Sequence, residues 1–166
     1  MEKLRKNIWW VSQSVSMIAA IVLCVLFYNQ AGLDALTYVG WVVLAAGFLL
    51  GYLGVASLKE KGGAPEGKSW IQTTTLVYSG VYALVRHPQY LSWVIMSLAL
   101  ILLSQHWATA TAGVLAIATM YMQARQDDDT LIEKFGDDYR RYMESVPRMN
   151  IVLGAIRLLR PSRNRQ

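Results

Sequence analysis

Charge is what this sequence is short of. Only 16% of its 166 residues are Asp, Glu, Lys or Arg, against roughly 25% in soluble domains. The few charges are segregated, leaving long stretches with almost none. The residues of metal and redox chemistry are equally scarce: one cysteine, Cys24, and two histidines, His87 and His106. A lone cysteine excludes an internal disulfide. With the two histidines expected at opposite ends of the fold, no transition-metal constellation assembles. Cys24 sits in an apolar run and reads as a small packing residue. Gly62-Gly63 lacks the preceding strand and the Lys-Ser/Thr ending of a phosphate loop, and no serine nucleophile elbow is present. What remains is 54% hydrophobic residues under a net charge of +5. That combination argues for a polytopic membrane protein and against a nucleic-acid binder.

The apolar runs set the organisation. Residues 1–58 are expected to hold two membrane spans, about 8–28 and 36–58, the first flanked by Trp9, Trp10 and Tyr28 as interfacial aromatics. The stretch after Lys6 is too long for a cleaved signal peptide and lacks a small-x-small site. Residues 59–87 form a loop that begins with a Gly- and charge-rich linker and continues through an irregular segment with Thr73, Thr74 and Thr75. Residues 88–124 hold a second hairpin, with spans at about 88–103 and 107–123 joined by a very short turn. Gly47-x-x-x-Gly51 in the second span offers a close-packing face through which an oligomer could form. All 16 Lys and Arg fall in 1–6, 59–86 or 125–165, so the positive-inside rule puts both termini and the 59–87 loop in the cytoplasm. The fold class is therefore all-α, a polytopic membrane protein with about four transmembrane helices and a cytoplasmic C-terminal segment, 125–166. In that segment Gly136 suits a helix C-cap and Asp137 an N-cap, and Tyr139, Tyr142, Met143 and Val146 share a helical face. Residues 151–159 are too short to span and end near Arg160, Arg163 and Arg165, as an interfacial helix would.

Two polar clusters flank the second hairpin on one side. Tyr82, Arg86, His87 and Tyr90 precede its first helix, which starts with Pro88 at a position where a missing N–H costs nothing. Arg125, Asp127 and Asp128 follow its second helix. An antiparallel hairpin returns both ends to one surface, so the clusters should meet around a helix N-terminus with its free N–H groups. Taken singly, each has a plainer reading: an Arg–His pair anchoring a helix at the headgroups, and a solvated acidic run at a helix end.

Gly80-Val81-Tyr82-x3-Arg86-His87-Pro88-x-Tyr90 resembles the signature of integral-membrane methyltransferases, the isoprenylcysteine carboxyl methyltransferase and phospholipid N-methyltransferase superfamily. Asp127-Asp128-x-x-Leu131-x3-Phe135-Gly136-x-x-Tyr139-x-x-Tyr142, then Val146-Pro147-Arg148, resembles the second half of that signature, although the family usually carries a Glu pair at the Asp127-Asp128 position. The resemblance spans about 76–148. It implies S-adenosylmethionine as cofactor, membrane lipid as a partner, and a lipophilic or amphiphilic methyl acceptor: a prenylcysteine carboxylate, a phospholipid amine or a small thiol. Gly80, Tyr82, Arg86, His87, Pro88 and Tyr90 would then bind the cofactor, and Asp127 its amino-acid end. Arg125 and Asp128 would lie nearest the transferred methyl as catalytic residues, with Asp128 the base for an amine acceptor. A carboxylate or thiolate acceptor would need no base. The competing readings are an NADPH-dependent membrane reductase of the sterol-reductase type and a non-catalytic membrane scaffold.

Overall fold

The computed structural model describes residues 2–67, 69 and 72–159, with side chains described from residue 8 onward. Lys3, Arg5 and Lys6 as side chains, Trp70, and Arg160, Arg163 and Arg165 therefore lie outside the described residues. The chain forms α1 (Glu2–Leu26), α2 (Asp34–Lys61), α3 (Val81–Leu84), α4 (Pro88–Ser104), α5 (Trp107–Phe135), α6 (Asp137–Ser145) and α7 (Ile151–Leu159), with no strand among the described residues. Two segments are long and apolar enough to cross a bilayer, Ile8–Leu26 and Asp34–Lys61, and Pro88–Ser104 is a shorter apolar helix. Large apolar side chains such as Val25, Val42, Phe48 and Val114 face outward along α1, α2 and α5. That is the surface a lipid-embedded bundle presents.

The helices do not pack in the order of the chain. α4 is central: α2 lies along one side of it and α5 along another, with α1 against α5 and α4. α1 and α2, although consecutive, have almost no contact with each other. The glycines of α2 explain its place. A Cβ on Gly47 would come within 2.7 Å of Met96, one on Gly51 within 3.0 Å of Ser92, and one on Gly40 within 2.9 Å of Leu103. The small-residue face read as a route to oligomers is thus taken up by α4 of the same chain. In lipid such close contact is what holds helices together. On the other side Met17, Ala20 and Cys24 of α1 interlock with Met96, Leu100 and Leu103 of α4 and Ala112, Ala116 and Met120 of α5.

The far end is locked by polar contacts. Gln105, the left-handed C-cap of α4 at φ 55°, bonds through its side chain to Leu33 N–H, the Leu33 carbonyl and Thr37. His106 caps α5 by accepting from Ala108 N–H and stacks on Phe27 at 3.9 Å.

At the opposite end α5 runs unbroken from the apolar bundle to Phe135 and stops at Gly136. Asp137 is not a cap, as the sequence suggested. Gly136 occupies the N-cap of α6 at φ 59°, and Asp137 begins the helix, paired with Arg140 across the exposed surface. Tyr139, Tyr142 and Val146 form a second small core with Leu131, Ile132 and Phe135. α7 lies against α3 so closely that a Cβ on Gly154 would meet the Leu84 carbonyl oxygen at 1.9 Å. The outer face of α7 exposes Val152, Leu153, Leu158 and Leu159.

Candidate functional site

The site forms where both ends of the α4–α5 hairpin meet α6 and the segment after it. Pro88 opens α4 with His87 as its N-cap. Just before it, the backbone is extended and pairs with the turn that follows α6. Arg86 N–H donates to the Pro147 carbonyl at 3.0 Å and His87 N–H to that of Arg148 at 3.1 Å. This short bridge fixes Arg86 and His87 relative to the tail.

Asp128 is the hub. Its side chain is 2% exposed. Oδ1 accepts from His87 Nε2 at 2.8 Å and from Tyr139 OH at 2.6 Å. Oδ2 accepts from Arg148 Nε at 2.7 Å and, at 3.4 Å, from Arg86. Burial alone would raise this carboxyl, but the hydrogen bonds from His87 and Tyr139, the charge of His87 and the Arg148 bond together hold it well below the usual carboxylate range. Arg86 also donates to the Met143 carbonyl at 2.8 Å, and Tyr142 OH to the Tyr82 carbonyl at 2.6 Å. Burial pushes the phenols of Tyr82, Tyr139 and Tyr142 upward, so they stay protonated donors. Arg148 bonds Tyr121 OH at 3.1 Å and lies over its ring.

Beside this hub is a cavity of about 370 Å³, lined by Trp10 and Gln13 of α1, Leu58 of α2, Thr73, Thr75, Leu76 and Val77 of the preceding loop, Tyr82 of α3, Arg86 and His87, Pro88, Gln89, Tyr90 and Trp93 of α4, Gln123, Asp127, Leu131 and Phe135 of α5, and Tyr139 and Tyr142 of α6. Its volume is in the roughly 300–1,000 Å³ range of small-molecule sites. Trp10, 67% exposed, and Trp93 mark the side that opens onto the outer surface of the bundle. Asp127 faces this space and accepts from Tyr90 OH at 2.7 Å.

The two acidic neighbours therefore do different work. Successive residues of a helix are about 100° apart, so Asp127 points to the cavity while Asp128 points into the contact with α6. The convergence expected of the hairpin is met, since His87 and Asp128 are bonded across 41 residues of sequence. Of the residues read as cofactor-binding, Tyr82, Arg86, His87, Pro88, Tyr90 and Asp127 line the cavity. Gly80 does not: at φ 63° it caps α3. The two residues read as catalytic are not on the cavity wall. Asp128 is buried beneath it, and Arg125 is exposed on another face of α5. Three contributors were given no role by sequence reasoning: Gln13 and Gln123, which it did not single out, and Arg148, which it quoted only as part of the motif. The first two left a signal, being amides within otherwise apolar spans, where polar side chains are costly and so usually have a purpose. Among the described residues no group of three or more His, Cys, Asp or Glu could hold a metal ion.

Comparison with known proteins falls on this same region. Residues 68–133 match the isoprenylcysteine carboxyl methyltransferase (ICMT) family. A 76-residue stretch is 32% identical to human protein-S-isoprenylcysteine O-methyltransferase, covering 45% of this chain and 27% of the human protein. The chain thus spans about a quarter of that relative's length. Both findings agree with the resemblance carried by the motif residues. The family match takes in Arg86 to Tyr90 and Asp127-Asp128 but leaves out α1, α2, α6 and α7. No solved structure matches the chain.

Proposed function

We propose that this chain is an integral-membrane methyltransferase that uses S-adenosylmethionine to methylate a lipophilic or amphiphilic acceptor at the cytoplasmic face. One observation carries the reading: both halves of the motif close on each other through the His87–Asp128 bond, with His87 on the wall of a cavity that also reaches the exposed Trp10 and Trp93. The cavity's chemistry suits the cofactor. Asp127 offers a carboxylate for an ammonium group. The buried Arg86 Nε, which has no partner among the described residues, offers a donor for a carboxylate. The rings of Tyr82, Tyr90 and Tyr142 offer faces for a sulfonium. When bound, adenosylmethionine supplies a methyl group on a positively charged sulfur, an electrophile that needs no further activation.

The chain's own residues then position and exclude water. Tyr90 holds Asp127 in place through its hydroxyl. Asp128 acts as a positioning residue in this reading, since its lone pairs are taken by four donors and its depressed pKa makes it a poor base. An amine acceptor would give its proton to Asp127 or to solvent, whereas a carboxylate or thiolate acceptor gives up none. The arginine and lysine distribution orients the cavity, and both termini, toward the cytoplasm.

The test is binding by calorimetry to protein in nanodiscs, followed by incubation of membranes with methyl-labelled adenosylmethionine. S-Adenosylhomocysteine should bind, more weakly in His87→Ala and Asp127→Ala, and label should appear in the lipid or lipidated-protein fraction. Binding of NADPH in its place, or of neither ligand, would overturn the reading.

A further inference from the structure

Two primary amides on the cavity wall each carry a buried polar atom without a partner among the described residues. Gln13 Oε1 and Gln89 Nε2 are buried and, among the described residues, meet no hydrogen-bonding atom, yet both side chains line the cavity. Gln13 is one turn along α1 from Trp10, and Gln89 is one turn before Trp93 on α4. A buried amide with no partner is costly, and an apolar side chain of the same length would avoid the cost. A third amide on the same wall shows what a structural glutamine does here: Gln123 donates to the Trp9 carbonyl at 2.9 Å and ties α5 to α1. Among the described residues Gln13 Oε1 and Gln89 Nε2 make no such bond.

As the two amides are oriented, one orphan is an acceptor and the other a donor. We propose that Gln13 and Gln89 are specificity determinants that bind a ligand edge carrying a hydrogen-bond donor beside an acceptor. An ionised carboxylate would face the Gln13 oxygen and an ammonium the Gln89 N–H, so a neutral edge fits best. Taken with the methyl-transfer reading, on which the ligand's identity rests, that edge has two sources: the adenine ring of the methyl donor, or a secondary amide in the amphiphilic acceptor. Gln13 lies outside the segment that matches the family, so this half of the pair is a feature of α1 that the family match does not cover.

The experiment uses the full chain in nanodiscs as wild type, Gln13→Met and Gln89→Met. Methionine keeps the length of glutamine and removes its hydrogen bonds. One arm compares binding of S-adenosylhomocysteine with S-inosylhomocysteine, whose ring exchanges donor for acceptor. The other compares a brominated dodecyl amphiphile bearing a secondary amide with its ester analogue, read by tryptophan quenching. In one arm the wild type should prefer the first probe by about tenfold or more. Both variants should lose that preference while their thermal stability holds or rises. Loss in the first arm assigns the edge to the nucleobase, and loss in the second to the acceptor. A preference that is absent from the wild type in both arms, or unchanged in both variants, overturns the proposal. A fall in thermal stability in both variants also overturns it, because the amides would then be structural. Failure of the methyltransferase reading looks different: neither nucleoside binds the wild type, and a preference for amide over ester that both variants lose still supports the pair.

Discussion

Asp128→Asn separates support from ligand contact at this site. Asparagine has the same outline, and its oxygen can still accept from His87 or Tyr139. Its NH2 must then face Arg148 Nε and the Arg86 guanidinium, donor against donor, with both cations stripped of their counter-charge. Removing one partner of a buried ion pair costs roughly 3–5 kcal/mol. Arg148, 24% exposed, regains some water, so the lower end, about 3 kcal/mol, is expected. For a chain of this length each kcal/mol is worth roughly 2–4 °C, placing the drop in melting temperature on the order of 10 °C. Asp127→Asn should behave oppositely. Its bond from Tyr90 survives the change, so stability should move by less than about 1 kcal/mol while adenosylhomocysteine affinity falls. Melting followed by tryptophan fluorescence in nanodiscs, together with calorimetry, reads both. If Asp128→Asn melts with the wild type, or Asp127→Asn melts low and keeps its ligand, the division of labour argued from their two directions is wrong.

The same variant predicts a pH dependence. A carboxyl whose folded pKa is depressed contributes stability that is complete above the unfolded value of ~3.9 and is lost as pH falls from there through the folded value. The gap between wild type and Asp128→Asn should therefore shrink as pH falls below about 4. A gap that widens below about pH 4 would contradict a depressed pKa.

The helices were legible because apolar runs, Pro88 and Gly136 mark their bounds, and the hairpin because only Gln105 and His106 separate α4 from α5. Helix partners were not. In lipid a helix is apolar all round, so periodicity no longer distinguishes the face that meets a neighbour from the face that meets hydrocarbon. Gly47 and Gly51 announced a close approach without naming α4 as the partner. That Arg125, read as catalytic, lies off the cavity wall was within reach of the sequence. At about 100° per residue it lies roughly 200° from both Gln123 and Asp127, the two neighbouring residues of α5 that, with Leu131 and Phe135 further on, line the cavity. Arg148 was harder to foresee, because its place depends on the bridge between Arg86 and Pro147, a pairing of two irregular segments that leaves no periodic trace.

Three further outcomes are expected. Arg125→Ala should leave adenosylhomocysteine binding unchanged by calorimetry, because its side chain is exposed away from the cavity. Tyr142→Phe strips the donor from the buried Tyr82 carbonyl and should cost about 1–3 kcal/mol in thermal unfolding. Gly154→Ala is the sharpest steric test. The added Cβ would meet the Leu84 carbonyl at 1.9 Å, a backbone atom that no rotamer change can move, so α7 must lift from α3 and release Arg157 from the Ala83 carbonyl it now holds. A freed arginine is a trypsin site, so the variant should be cut after Arg157 faster than the wild type while α1 to α5 stay intact. Equal cleavage rates would mean that α7 does not rest on α3 as described.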